Sequence, residues 1–376
     1  MKIKEINAKS ILRKYKTIDS WFISKYGMNL YRGCNHNCIY CDGRSEKYRV
    51  LGLFGSDIEV KTNALEILSS ELKKGKEFKV PFNKGFIMIG GGVGDSYQPA
   101  EEKYEITRKT LKLLNKHNLP VHILTKSNLI NRDFDILKEI NENTKAIISM
   151  SFSSVEENIS KIFEPNVPSP KERLQTLLKF KKEGFLTGMF LLPVIPYISD
   201  NPRFIEESIK NAKEIGLDYV IFGGMTLKSG KQKDYFYKIL KKEYPDLITN
   251  YENIYKNDKW GNPSKEYYHS INNTFSFISR KYRINKRIPV YLCKDFLDIN
   301  KKIILILQHI DYLLKLKGMK SPYGYASYSL SKLDKPIPSM KFNLRKIQGV
   351  GKVTEKIIWE IIDTGSCKYY EKLLIS

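Results

Sequence analysis

Cysteine is scarce in this chain, five in 376 residues, too few for a disulfide-stapled secreted fold. Long apolar runs are missing as well. The longest, Gly188-Met-Phe-Leu-Leu-Pro-Val-Ile-Pro196, is short and interrupted by proline, and the opening Met-Lys-Ile-Lys-Glu-Ile-Asn has no apolar signal core. A membrane role is therefore not expected. There is no internal repeat, no nucleotide P-loop and no serine or cysteine protease arrangement. Acidic side chains are outnumbered, 41 against 64 basic ones, for a formal net charge of +23. The rest of the composition is that of a globular protein: 41% hydrophobic and 12% aromatic residues suffice for buried cores in two domains.

Three of the five cysteines fall within eight residues, in Tyr31-Arg-Gly-Cys-Asn-His-Asn-Cys-Ile-Tyr-Cys41. Cys34, Cys38 and Cys41 on one tight loop can bind three irons of a four-iron cluster, leaving the fourth open to a small chelating molecule. Such thiolates need a reducing compartment, so the cytoplasm is the expected location. A zinc knuckle that recruits His36 is chemically feasible. Its ligands, however, usually come in two pairs from opposite sides of a hairpin, whereas these are consecutive on one loop. The C-x3-C-x2-C spacing with Tyr40 before the last cysteine resembles the radical S-adenosylmethionine (SAM) superfamily. That resemblance implies a [4Fe–4S] cluster, SAM bound at the open iron, a 5′-deoxyadenosyl radical, and an electron donor such as flavodoxin or ferredoxin.

Short apolar runs alternate with amphipathic stretches. Residues 28–31, 86–89, 121–125, 146–150, 186–192 and 219–222 read as six buried strands; 64–74, 101–116, 133–141, 171–183 and 202–215 read as helices between them. Alternation of this kind implies a parallel sheet with right-handed crossovers, an α/β partial (β/α)6 barrel whose reactive groups sit where strands end. Several strand-end residues are then candidates for holding SAM. Gly90, Gly91 and Gly92 follow the second strand and would let SAM approach the backbone, although a glycine run also serves a plain tight turn. Lys126 ends the third strand, Ser149 and Ser151 lie on the fourth, and Arg173 has the fork geometry to pair with a carboxylate, or is simply a helix-surface arginine. Tyr40 completes the candidates.

Ala8-Lys-Ser-Ile-Leu12, Asn29-Leu-Tyr-Arg-Gly-Cys34, Asp95-Ser-Tyr-Gln-Pro99 before Glu102 and Tyr104, Thr125-Lys-Ser127, and Phe163-Glu-Pro165 with Arg173-Leu174 narrow the resemblance. Over roughly residues 8–226 the chain resembles the spore photoproduct lyase-like branch, often called DNA repair photolyases. In the characterised lyase a methylene-bridged thymine pair is cleaved and a cysteine thiol returns hydrogen to the product radical. Here residues 1–226 hold no cysteine beyond the three of the motif, which puts thymine-dimer reversal in doubt. Cys293, reaching in from the C-terminal region, and a tyrosine such as Tyr97 are the candidate hydrogen donors; a buried, inert Cys293 is the alternative.

Charge is uneven: residues 227–376 carry 15 of the 23 excess positive charges. Arg280, Lys281, Arg283, Lys286 and Arg287 cluster there and suit either a phosphate-attracting surface or a solvated loop. Phe342 to Gly365, with Gly349-Val-Gly351 at its centre, resembles a helix-hairpin-helix motif. In that motif a glycine turn presses backbone N–H groups on a DNA phosphate, and Lys346 and Lys352 would add charge to Gly349 and Gly351. A structural helix pair is the other reading of the same residues.

The expected organisation is a barrel over 1–226, a mostly helical basic extension over 227–320, a Pro/Gly/Ser linker over 321–340 and a helix-hairpin-helix tail over 341–376. The expected function is a radical SAM lyase acting on nucleic acid, DNA in particular. The alternatives are radical SAM modification of RNA or protein, and a metal-stabilised nucleic-acid-binding protein without catalysis.

Overall fold

The computed structural model describes residues 2–48, 50, 52–77, 85–90, 93–256, 258–340 and 343–376. Its strands are β1 Lys2–Ile6, β2 Leu12–Asp19, β3 Ser24–Met28, β4 Tyr31–Arg32, β5 Asp57–Lys61, β6 Phe86–Ile89, β7 Val121–Thr125, β8 Ala146–Phe152, β9 Leu186–Val194 and β10 Tyr219–Gly224. Six of them, β3 and β6 to β10, run parallel in the order β3-β6-β7-β8-β9-β10, with β2 antiparallel on the β3 edge. The linear order makes an open, partial (β/α)6 barrel. A second sheet, β1-β5-β4, stands beside it.

The helices are α1 Ala64–Glu77, α2 Ala100–Tyr104, α3 Ile106–Lys116, α4 Phe134–Asn143, α5 Glu157–Phe163, α6 Pro170–Lys182, α7 Pro202–Glu214, α8 Lys231–Glu243, α9 Ile248–Ile254, α10 Lys265–Tyr282, α11 Ile299–Leu316, α12 Tyr323–Leu330, α13 Lys352–Thr364 and α14 Lys368–Ile375. Local chemistry starts several of them. Ser169 and Glu172 form a capping box ahead of Pro170 in α6, and Asn201 and Asp298 cap α7 and α11.

Two expected elements are displaced. The helix expected over 101–116 breaks at Glu105, which takes a left-handed conformation with φ of +52°. The break lets Glu101, buried, accept from Thr107 N at 2.9 Å and so cap α3. The first barrel strand lies at Ser24–Met28 rather than 28–31, because Tyr31 leaves the main sheet, pairs with Val60 and donates its hydroxyl to Glu101. The polar Ser24 and Lys25 disguise that strand; Lys25 satisfies its ammonium on Lys16 O at 2.9 Å.

The tail is part of the main body. One hydrophobic core joins the N-terminal ends of the barrel strands, through Phe86, Ile147, Leu186 and Tyr219, to α11, α12, α13 and α14. The segment expected as a linker, 321–340, contains α12, buries Tyr323, Ala326 and Leu330, and is tied to α11 by Asn300, which bonds Lys335 O and Ile337 N. Its Pro, Gly and Ser content suggested a tether, but its apolar residues at helical spacing found a partner surface. The 280–287 basic cluster is likewise dispersed: Lys286 and Arg287 are buried, and Lys281 pairs with Glu206.

Candidate cluster and cofactor site

Cys34, Cys38 and Cys41 line one cavity of about 370 Å³ at the C-terminal ends of the strands, together with Tyr40, Gly90, Asp95, Lys126 and Ser151. The loop that carries them is pinned from several directions. Gly33, at φ +81°, turns where a Cβ would meet Asp57 O at 2.6 Å. Gln98 accepts from Asn35 N and donates to Gly33 O, at 2.9 and 3.2 Å. Arg44 donates to Cys38 O and Asn37 O, both at 3.2 Å, while its guanidinium stacks on Tyr235 and Phe54. Asp42, next to Cys41, is held by Thr226, Lys228 and Gln232, and Gln232 also donates to Tyr40 O at 2.9 Å. The extension after the barrel thus clamps the cysteine loop, and Cys38, Ile39 and Tyr40 share a core with Phe236, Leu240 and Tyr251.

Burial pushes all three thiols up, Cys38 to about 12. Three enclosed thiols of this kind become thiolates only with compensating positive charge, as a cluster would provide. Among the described residues no three His, Cys, Asp or Glu side chains converge tightly enough to hold a single metal ion. His36 is engaged elsewhere: Nδ1 is 3.0 Å from Asn166 O and Nε2 is 3.2 Å from Asp95 Oδ2.

Behind the cavity wall lies a charged network. Glu164, fully buried, accepts from Tyr40, from Lys126 Nζ at 2.9 Å and from Arg173 Nη2 at 2.6 Å. Burial alone would raise its carboxyl, but the Arg173 and Lys126 charges and the Tyr40 hydrogen bond hold it well below the usual carboxylate range. Lys126 also donates to Ser151 Oγ at 2.6 Å. Asp95 is a second hub, accepting from Thr125 Oγ1, Lys126 N and Tyr97 N at 2.7, 2.7 and 2.8 Å. Burial opposes its ionisation, yet His36 and the two backbone N–H groups lower it overall.

The other expected site residues separate into three groups. Gly90 lines the cavity at φ +87°, where a Cβ would stand 2.3 Å from Leu124 O; Gly91 and Gly92 lie outside the described residues. Ser149 and Arg173 do not line it. The Ser149 hydroxyl lies below, bonded to His122 and Tyr219, and Arg173 is wholly buried on Glu164, Ser160 and Ser151 O, so its charge is spent within the protein.

The two expected hydrogen donors fail on position. Cys293 is buried in the core at the N-terminal ends of the strands, beside Tyr219 and Tyr370, opposite the cavity lined by the three cysteines, and burial pushes it to about 12. Tyr97 is enclosed beside Asp133 and Glu101 and does not line the cavity. Asp95, Asp42 and Asn166 had no assigned role. Only Asp95 carried a local signal, an acidic residue directly after strand-end glycines.

In the tail, Lys346, Gly351 and Lys352 are exposed. Gly349 sits at φ +85° against α12, where a Cβ would meet Ala326 N at 2.9 Å. The element before the glycine turn is a single 3-10 turn, Leu344–Lys346, rather than the helix the motif calls for.

Residues 28–203 match the family model of the Radical SAM superfamily, and the chain carries a radical SAM domain, whose cofactors are a [4Fe–4S] cluster and SAM. The fold is shared with spore photoproduct lyase. One variant of that enzyme superposes with a TM-score of 0.55 at 16% identity, covering 74% of this chain and 79% of the other. Another, with bound AdoMet and dinucleoside spore photoproduct, gives 0.53 at 16%, covering 72% and 78%. Sequence relatives include an uncharacterised protein of Methanocaldococcus jannaschii, 29% identical over 231 residues (60% of this chain, 80% of the relative). An uncharacterised protein of Mycobacterium tuberculosis is 25% identical over 264 residues (69% and 75%). No helix among the described residues is long and apolar enough to cross a membrane.

Proposed function

We propose that the protein is a radical SAM enzyme that acts on nucleic acid, with lyase-type repair of damaged DNA as its reaction. The observation that carries this reading is the convergence of Cys34, Cys38, Cys41, Gly90, Lys126 and Ser151 on one cavity of a spore photoproduct lyase-like fold. The cluster and SAM, when bound, supply one-electron chemistry that abstracts a hydrogen atom from substrate.

The protein's own contribution is to hold and shield. The three cysteines ligate the cluster, Lys126 offers positive charge for SAM's carboxylate, and the bare Gly90 backbone leaves room beside it. Phe22, Leu192 and Met225 form an apolar wall that excludes water from the reacting atoms. The exposed Gly351 and Lys352, at the start of α13, support a sequence-independent contact to phosphate. An acidic one-electron carrier of the flavodoxin or ferredoxin type is the natural reductant.

Among the described residues no cysteine other than the three lines the cavity. The thiol-dependent second half of the spore photoproduct reaction therefore has no counterpart there. The proposed reaction returns a hydrogen atom from the 5′-deoxyadenosine methyl group to the product radical, so a deuterium label on the lesion would be shared between the product and the SAM 5′ position.

The test is SAM cleavage in a single turnover, read as label exchange between substrate and the SAM 5′ position, together with product formation, by the anaerobic, reduced holoenzyme with undamaged DNA, ultraviolet-damaged DNA, RNA and protein extract. Stimulation by damaged DNA with formation of repaired product is expected. Stimulation by RNA or protein alone would overturn the DNA reading.

A further inference from the structure

The tail carries an open aromatic surface. Tyr325 and Tyr328 stand three residues apart on one face of α12 and are each 54% exposed, and Val353, in the first turn of α13, is 64% exposed. The glycine turn brings the two helices together. Gly349 lies against α12, where a Cβ would meet the Tyr325 ring and Ala326 N, each at 2.9 Å, and the Tyr325 hydroxyl donates to Gln348 Oε1 at 2.7 Å. The Tyr325 ring is thus held in place while much of it stays open to solvent. Lys332 Nζ stands 4.1 Å from the Tyr328 ring centre.

Charge completes the surface. Lys332, Lys346, Lys352 and Lys356, on or beside α12, the glycine turn and α13, are all exposed. Glu355, the acidic residue in the first turn of α13, is engaged by Arg345 at 2.5 Å. A single exposed tyrosine needs no explanation. Two rings at helical spacing among unpaired lysines match both parts of a nucleic-acid strand, its phosphates by charge and its base faces by stacking. A duplex keeps its base faces inside the stack and offers the lysines phosphate alone, so the rings favour unpaired bases. The elements that carry this surface pack on the N-terminal ends of the barrel strands, away from the cavity lined by the three cysteines.

We propose that the α12–α13 surface docks single-stranded nucleic acid, with unpaired bases stacked on Tyr325 and Tyr328 and neighbouring phosphates neutralised by Lys332 and Lys352. The proposal rests on the nucleic-acid reading above and adds a second hold on the polymer: a single-stranded stretch is gripped outside the cavity, apart from the segment that reacts.

Fluorescence anisotropy with the full-length, cluster-loaded protein tests this, using a single-stranded oligothymidylate and a duplex of equal length. Tyr325→Leu and Tyr328→Leu keep apolar bulk and every charge. Each should weaken single-strand binding by about tenfold, leave duplex binding within about twofold, and leave the salt dependence unchanged. Tyr325→Phe and Tyr328→Phe, which keep the ring, should bind the single strand like the native chain. Irradiating the native protein with a 5-iodouracil-substituted strand should crosslink it to Tyr325 or Tyr328, a readout that stands even if the leucine variants fail to fold.

Unchanged single-strand affinity in the folded leucine variants overturns the proposal, as does an equal loss for single strand and duplex, or crosslinking confined to other residues. If oligonucleotides still bind in a salt-dependent way in those cases, the nucleic-acid reading stands without this surface. If no oligonucleotide binds in any form, both fall.

Discussion

Lys126 and Glu164 meet at 2.9 Å on the wall of the cluster cavity, yet only Lys126 faces it. Glu164 is enclosed, with Arg173 behind it at 2.6 Å. Within this trio two cations share one carboxylate, and the surplus positive charge is presented to the cavity by Lys126. Arg173, whose planar fork makes it a candidate for a carboxylate ligand, instead holds Glu164 in place.

Replacing Lys126 should therefore change cofactor affinity more than cluster assembly. Lys126→Met is expected to raise the KM for SAM by about tenfold to a hundredfold, the range of a lost charge-assisted hydrogen bond. Iron content should match that of the native protein. An unchanged KM would show that the ammonium does not contact SAM.

Glu164 predicts an acid limb of stability. Its folded pKa is lowered, so the unfolded chain takes up the proton first. The stabilisation is fully present above the unfolded value, about 4.3, and is lost as pH falls from there toward the lowered folded value. Urea midpoints measured from pH 7 to pH 3.5 should fall steeply below about pH 4.5. In Glu164→Gln the acid limb should be shallower, and stability at pH 7 lower by about 3–5 kcal/mol, the usual cost of breaking a buried ion pair. An acid limb of equal slope in both proteins would mean that Glu164 is not the titrating group.

The cysteines should divide cleanly by position. Alanine at Cys34, Cys38 or Cys41 should remove cluster absorbance and 5′-deoxyadenosine production together. Cys293→Ala should retain both and lose about 1 kcal/mol of stability or somewhat more through packing. A Cys293→Ala protein that assembled its cluster but gave abnormal products would place that thiol in the reaction after all.

Removing the tail is a poor test of nucleic-acid binding, because Ile357, Ile358, Ile361 and Tyr370 belong to the core shared with the barrel. Truncation at Pro338 should unfold or destabilise the whole chain. The exposed Lys346 and Lys352 can be changed without that cost. Lys346→Ala with Lys352→Ala should reduce the slope of log binding constant against log salt by roughly 0.9 for each phosphate that is no longer neutralised. Identical slopes would assign the glycine turn to packing alone.

The sequence by itself determined the chemistry-bearing loop and the layout of the barrel. Cysteine spacing is local, and strand–helix alternation follows from periodicity, so the grouping of the three cysteines, five of the six barrel strands and the strand-end placement of Gly90, Lys126 and Ser151 could be read directly. The structure decided what local pattern does not encode. Ser149 and Ser151 sit two residues apart on β8, and only the curl of the sheet shows that the second reaches the cavity. Arg173 and Cys293 carry suitable groups, but long-range packing spends one on Glu164 and buries the other at the far end of the strands. The clamp of Thr226, Lys228 and Gln232 on Asp42 joins residues more than 180 positions apart. Within the 321–340 segment, Tyr323–Leu330 became a helix because a hydrophobic surface on α11 was there to receive it. Such packing depends on which surfaces meet when the chain collapses, and tertiary structure alone specifies that.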